Sequence, residues 1–272
     1  MNLSKIFIVS ALAVSLSFGS AFAETQYKTA SPFVRFTTNL FGYNFFAKKI
    51  AQGVLKKTLK KSVDGEYKVK FDSFSGVDLK KGKFRGLTID GEELSIDDQL
   101  FISNLHMETT SDFNYVEYNK EPMVFKTDVP FKYNIEVTEE DLNKSFDTGE
   151  VFDTISSLIP LVKIEKPSLN LENGKLKISS SLKFPFAKPV KFSMSAGLKV
   201  VDGKIVMSDV KSSQSGNEFV KKLINLMNKN DFLENLNLNI IDGADTVVKV
   251  ENVDIKSKKL YVNGQFIIKK SV

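Results

Sequence analysis

The sequence has no cysteine, no tryptophan and one histidine, His106. Without cysteine there is no disulfide framework, so a packed core must hold the chain together. A lone imidazole without thiolates also lacks the ligands of a structural zinc site. No nucleophile-elbow motif accompanies His106 and no D-x-[DN]-x-[DN]-G loop occurs, so triad chemistry and calcium binding have no carrier. There is no linker rich in Pro, Gly or Ser and no low-complexity block. Long apolar runs are scarce too: residues 6–18, IFIVSALAVSLSF, form the longest, short of the ~20 residues a spanning helix needs. Lys5 precedes that run and Ala21-Phe22-Ala23 follows it. Residues 1–23 therefore read as a secretory signal peptide rather than a membrane anchor. This leaves residues 24–272 as a single exported domain, periplasmic or otherwise outside the cytoplasmic membrane. The net charge of +5, one unit of it from Lys5, is too small to mark a nucleic-acid binder.

What is present is phenylalanine, 23 residues of it, arranged in two periodicities. Residues 32–63 read as an amino-terminal amphipathic helix. Phe36, Leu40, Tyr43, Ala47, Ile50 and Val54 draw an apolar stripe, Ser31-Pro32 marks the start and Asp64-Gly65 the stop. Lys48, Lys49, Lys56, Lys57 and Lys60 gather on the other side. They face water or the headgroups of an anionic membrane surface, where each cation is worth about 1 kcal/mol. From residue 66 to 272 the period becomes two. Asp64-Gly65, Asp90-Gly91, Asn173-Gly174, Asp202-Gly203, Asp242-Gly243 and Asn263-Gly264 read as tight-turn pairs. Helices are expected near 139–159, opened by Thr138-Glu139-Glu140-Asp141, and near 216–228, while the tail reads as a hairpin turning at 256–259.

Two ribbons alternate strictly. In Met123–Val137 seven of the eight odd positions are apolar, Phe131 and Tyr133 among them. From Leu176 to Val200, 11 of 13 even positions are apolar and only Ala187 of the odd ones is. That stretch would extend about 80 Å as one strand, so it reads as two strands joined around Ala187-Lys188-Pro189. Long strands with one apolar face predict an α+β fold: a long, strongly curved antiparallel sheet, a half-tube or open barrel, covered on its concave side by two to four helices. The residues expected to line the concavity are Phe131, Tyr133, Phe184, Phe186, Phe192, Met194 and Leu198.

Catalytic candidates are few. His106 shares a strand face with Asn104 and Glu108 and reads as a solvated strand histidine. Asp97-Asp98 and Glu139-Glu140-Asp141 are explained by a turn and a helix start. The expectation is a non-enzyme with no cofactor and no metal.

The order of these elements resembles the LmeA-type family of exported phospholipid-binding proteins, related in fold to the tubular lipid-binding (TULIP) proteins. The resemblance covers roughly residues 45–268. It rests on Val69-Lys70-Phe71-Asp72 with Gly76-Val77-Asp78-Leu79, on Gly82-Lys83-Phe84-Arg85-Gly86-Leu87-Thr88-Ile89 and on Thr138-Glu139-Glu140-Asp141-Leu142-Asn143. Asn173-Gly174-Lys175-Leu176, Asp202-Gly203-Lys204-Ile205 and Asn263-Gly264 complete it. The resemblance implies phospholipid binding and an envelope role without chemistry. An apolar groove would hold acyl chains and could carry lipid, since ~15 methylenes cost about 12 kcal/mol to expose to water. The alternative is a non-catalytic structural or adaptor domain of the envelope whose helices fill the core.

Overall fold

The computed structural model describes residues 29–32, 34–35, 43–96, 98, 100–117, 124–148, 163–165, 167–183, 188–213 and 246–271. The expected helix at 216–228, residues 149–159 of the helix expected near 139–159, Phe36 and Leu40 of the expected stripe, the Asp242-Gly243 pair, Asp97, Phe184 and Phe186 lie outside them. Within them the fold is α+β and mostly antiparallel sheet, with no closed barrel.

Helix α1 spans Tyr43–Ser62 and gives way at once to β1, Asp64–Asp72. The sheet therefore starts two residues earlier than its alternation suggests. Helix α2, Gly76–Lys80, follows, then β2 (Lys83–Phe84), β3 (Gly86–Ile96), β4 (Leu100–Thr109), β5 (Asn114–Glu117), β6 (Val124–Phe125) and β7 (Val129–Thr138). Helix α3 spans Glu139–Thr148. The rest is strand: β8 (Lys163–Ile164), β9 (Ser168–Glu172), β10 (Lys175–Lys183), β11 (Val190–Val201), β12 (Lys204–Ser212), β13 (Thr246–Lys256) and β14 (Lys259–Ile268).

Six strands form one sheet in the order β1-β3-β4-β7-β14-β13. Its register lines up apolar rows on the inner face. One row runs Val69, Ile89, Met107, Tyr133, Gly264, Val250, and the next runs Tyr67, Gly91, Leu105, Ile135, Val262, Val253. A second sheet has the order β12-β11-β10-β8, with β9 also paired to β10. Strands β2, β5 and β6 make a small third sheet. The long ribbon of residues 176–200 is indeed two strands, paired from Lys175 opposite Gly197 to Leu182 opposite Val190. The Met123–Val137 ribbon breaks at Lys126–Asp128, between β6 and β7.

Three of the Asx-Gly pairs are not turns. Asn173-Gly174 and Asp202-Gly203 do turn hairpins, with φ of 52° and 73° in the first and 52° and 79° in the second. Asp64-Gly65 instead begins β1, where Gly65 takes φ +143° at a bulge. Asp90-Gly91 and Asn263-Gly264 lie inside β3 and β14. There the glycine faces inward to admit a neighbour: a Cβ on Gly264 would stand 2.7 Å from the Tyr133 Oη and 2.2 Å from the Lys249 carbonyl oxygen. The last hairpin turns without glycine, on Ser257 and Lys258, inside the expected 256–259 segment.

The helix stripe is rotated from its expected position. Ala51, Leu55, Leu59 and Val63 are buried against the six-stranded sheet, whereas Ile50 is 59% exposed and Ala47 half-buried. The helix carries two adjacent apolar lines, and the one that continues through Val63 into Tyr67 and Val69 of β1 enters the core. Each buried leucine there contributes about 1.5–3 kcal/mol.

Candidate functional site

The apolar faces are the first candidate. Phe131 and Tyr133 lie on the inner face of the six-stranded sheet, both buried. Phe131 stacks on Phe266 with ring centroids 4.6 Å apart and planes 5° from parallel. Burial pushes the Tyr133 hydroxyl up to about 12, with the nearby Glu251 carboxylate adding to the effect. The main core cluster joins this face to helix α1, Leu79, Phe84, Val116 and Phe125. Phe192, Met194 and Leu198 lie on β11 instead. Leu198 packs on the edge of the main cluster. Phe192 and Met194 are buried apart from it, on a second apolar layer whose rows run Leu169, Ile178, Met194 and Leu171, Leu176, Ala196. The expected lining residues thus divide between two sheets.

Helix α3 joins those sheets. Thr138 caps it: its Oγ1 accepts from the Asp141 N–H (3.1 Å), and Asp141 Oδ2 accepts from the Thr138 N–H (3.2 Å) and hydroxyl (2.6 Å). The same Oδ2 accepts from the Ser103 hydroxyl on β4. Burial pushes the Asp141 carboxyl up, but the Ser103 and Thr138 donors outweigh it and hold it below the ordinary value. On the other side, the Asn143 amide donates to the Leu169 carbonyl (2.8 Å) and accepts from its N–H (2.8 Å). Glu139 Oε2 accepts from the Leu171 N–H (2.8 Å). These groups satisfy the free edge of β9 as a neighbouring strand would. Thr138-Glu139-Glu140-Asp141-Leu142-Asn143, one of the motifs behind the family resemblance, therefore acts as a clamp.

A second motif cluster lies beside α2. Asp78 is 1% exposed; its carboxylate accepts from the Ser75 hydroxyl (2.6 Å) and the Ala30 N–H (2.6 Å), and Arg35 Nε lies at 3.5 Å. Asn44 of helix α1 accepts from the Gly76 N–H. Arg85 pairs with Asp72 at 3.2 Å. Both guanidinium groups lie over Phe74, at 5.3 and 5.6 Å from its centroid. Sequence reasoning missed this convergence, though a signal existed: Arg35 and Arg85 are the only arginines among 38 basic residues. A planar guanidinium stacks on a ring and pairs with carboxylate as lysine does not.

The helix lysines separate as well. Lys60 and Lys56 reach Glu66 at 2.6 and 3.7 Å, and the Lys60 hydrogen bond lowers the Glu66 carboxyl. Lys49 lies over the Phe45 ring at 5.0 Å. Lys48 is half-buried and Lys57 exposed. Phe45 and Ile50 are exposed beside them. His106 is more than a solvated strand residue: its Nδ1 lies 2.5 Å from Asp90 Oδ1 on the adjacent strand. Asp98 sits in the turn between β3 and β4, at φ 54°. No described helix is long and apolar enough to cross a membrane.

A family model of LmeA-like phospholipid-binding proteins matches residues 43–265. The chain belongs to this family. No curated protein and no solved structure matches it. The LmeA-like match starts at the first residue of helix α1 and ends within β14. It thus takes in both sheets and the clamp, and its lipid-binding character fits a chain with two apolar layers.

Proposed function

We propose that this LmeA-like protein is exported by its amino-terminal segment and holds phospholipid acyl chains in an apolar groove, carrying lipid or supporting envelope assembly outside the cytoplasmic membrane. In this reading the sheets curve as an open, TULIP-like half-tube. The observation that carries the reading is the second apolar layer: Phe192, Met194, Leu169 and Leu171 are withdrawn from water yet stand apart from the main core cluster. An acyl chain is the natural partner of such a layer, because each methylene it removes from water is worth about 0.8 kcal/mol. The Lys49, Lys57, Phe45 and Ile50 face of helix α1 supplies cations and apolar side chains for contact with an anionic bilayer.

Native mass spectrometry of gently purified protein tests this directly. Bound phospholipid, and uptake of a fluorescent phospholipid by delipidated protein, are the expected results. Lipid-free protein that also takes up no probe would instead favour an adaptor domain with a self-filled core.

A further inference from the structure

The outer face of the six-stranded sheet carries polar rows that acyl-chain binding leaves unused. Lys68, Asp90, His106, Asn134, Asn263 and Asn252 are successive cross-strand partners over all six strands. The next row runs Glu92, Asn104, Glu136, Tyr261. Between these rows lies an open trough of about 380 Å³, floored by the backbone of Gly91, Leu105 and Ile135. It crosses five strands and is therefore about 19 Å long at ~4.8 Å per strand.

Its composition conflicts with its place. Asn and Asp disfavour strands, yet Asp90, Asn104, Asn134, Asn252 and Asn263 all occupy strand interiors. Outward positions one row away follow ordinary surface usage, with Thr88, Lys132, Gln265 and Lys249. Local conflicts of this kind mark functional sites.

Polar groups in the trough already meet one another. Lys68 pairs with Glu92 at 2.7 Å and Lys259 with Glu136 at 2.7 Å, and His106 Nδ1 lies 2.5 Å from Asp90 Oδ1. Glu136 also accepts from the Asn104 amide at 3.1 Å. Three carboxylates repel a phosphate, while Lys68 and Lys259 already occupy Glu92 and Glu136 and the His106 ring lies on Asp90, so none of the three is left open to a cationic ligand. Among the described residues no group is arranged to hold a metal. An acyl chain would bury these polar groups unsatisfied. What fits is a neutral ligand dense in hydroxyls: carboxylates accept its O–H groups, amides both donate and accept, and the Tyr261 ring offers an apolar face.

We propose that this trough is a saccharide-binding site, taking a glycan or the sugar headgroup of a glycolipid on the face opposite the acyl-chain layer. The test is amide chemical-shift titration of the full chain with maltohexaose, cellohexaose, chitohexaose and, separately, dioctanoyl galactosylglycerol. Shifts confined to residues 90–92, 104–106, 134–136 and 261 are expected with at least one probe. A response to the free sugars identifies a glycan, and a response to the glycolipid alone identifies a headgroup; both support the site. Asn134→Thr and Asn104→Thr are expected to weaken binding at least ten-fold, to leave phospholipid uptake unchanged and to raise Tm by about 2 °C as β-branched residues relieve the conflict. Failure of all four probes, shifts elsewhere on the surface, unaltered affinity in both variants or a lowered Tm overturns the proposal. Phospholipid uptake is read separately, so loss of either function is seen without the other.

Discussion

On the inner face of the six-stranded sheet, large side chains meet each other and helix α1. Phe131 lies on Phe266, and Tyr133 fills the space that Gly264 leaves. The five-stranded sheet is built differently. Its apolar rows are interrupted by a serine, Ser180, opposite Phe192, and end in a small residue, Ala196. Ser180 turns its hydroxyl to the Glu165 carbonyl. One sheet packs into the main core cluster, and the other carries a separate buried layer with a serine and a small residue among its apolar rows. The difference sets the apolar rows of β9, β10 and β11 apart from the main cluster, and these are the rows to which the acyl-chain proposal assigns its ligand.

A matched pair of substitutions gives the largest test of that contrast. Met107 and Met194 are both buried, one in each sheet. Met107→Ala is expected to cost about 4 kcal/mol and Met194→Ala about 2 kcal/mol in urea unfolding of delipidated protein, because Met194 lies outside the main cluster, in a layer interrupted by Ser180, and has fewer large neighbours to lose. Adding phospholipid should widen the gap between Met194→Ala and the unsubstituted chain, since ligand stabilisation follows affinity. Equal costs in both sheets, insensitive to lipid, would erase the distinction.

A smaller effect is expected at the clamp. Asn143→Ala removes both side-chain bonds to Leu169 and is expected to cost about 2 kcal/mol. Hydrogen exchange at the Leu169 amide should quicken while exchange at Met107 stays slow; an equal change at both would mean that the sheets are not separately held. The smallest effect is Asp141→Asn, about 1 kcal/mol at neutral pH. The folded Asp141 carboxyl lies below its ordinary value. Its contribution is therefore present above the ordinary carboxylate range and lost as pH falls through the lower folded value. The variant should show a shallower loss of stability over that acid window, measured by urea midpoints from pH 6 downward.

Much of the fold was legible because strand alternation is a direct record of burial. The apolar parity of residues 176–200 anticipated both strands, and Thr138-Glu139-Glu140-Asp141 anticipated the cap of α3. The helix was harder. Two apolar lines run along Tyr43–Ser62, and only docking against β1 selects the one through Leu55 and Leu59. The Asx-Gly pairs misled for a similar reason. At Asp90-Gly91 and Asn263-Gly264 the glycine makes room for another side chain, Leu94 three residues along the same strand or Tyr133 on the neighbouring one, and the Asx faces outward. Candidate residues for the acyl-chain layer were named by parity alone, and parity does not say which sheet a strand joins. The convergence of Arg35 and Arg85 on Phe74 depends on contacts between distant segments, which no local pattern encodes.

Strand β14 sits between β7 and β13, so the six-stranded sheet is assembled from residues 64–138 and 246–268. The ring of Phe131 has no Phe266 to rest on until the last stretch of the chain arrives. Closing so long a loop is slow, because contacts distant in sequence form only after the entropy of the intervening chain is overcome. A chain arranged this way stays unfinished while residues 259–268 are withheld, so its largest sheet cannot close piecemeal from the amino-terminal side.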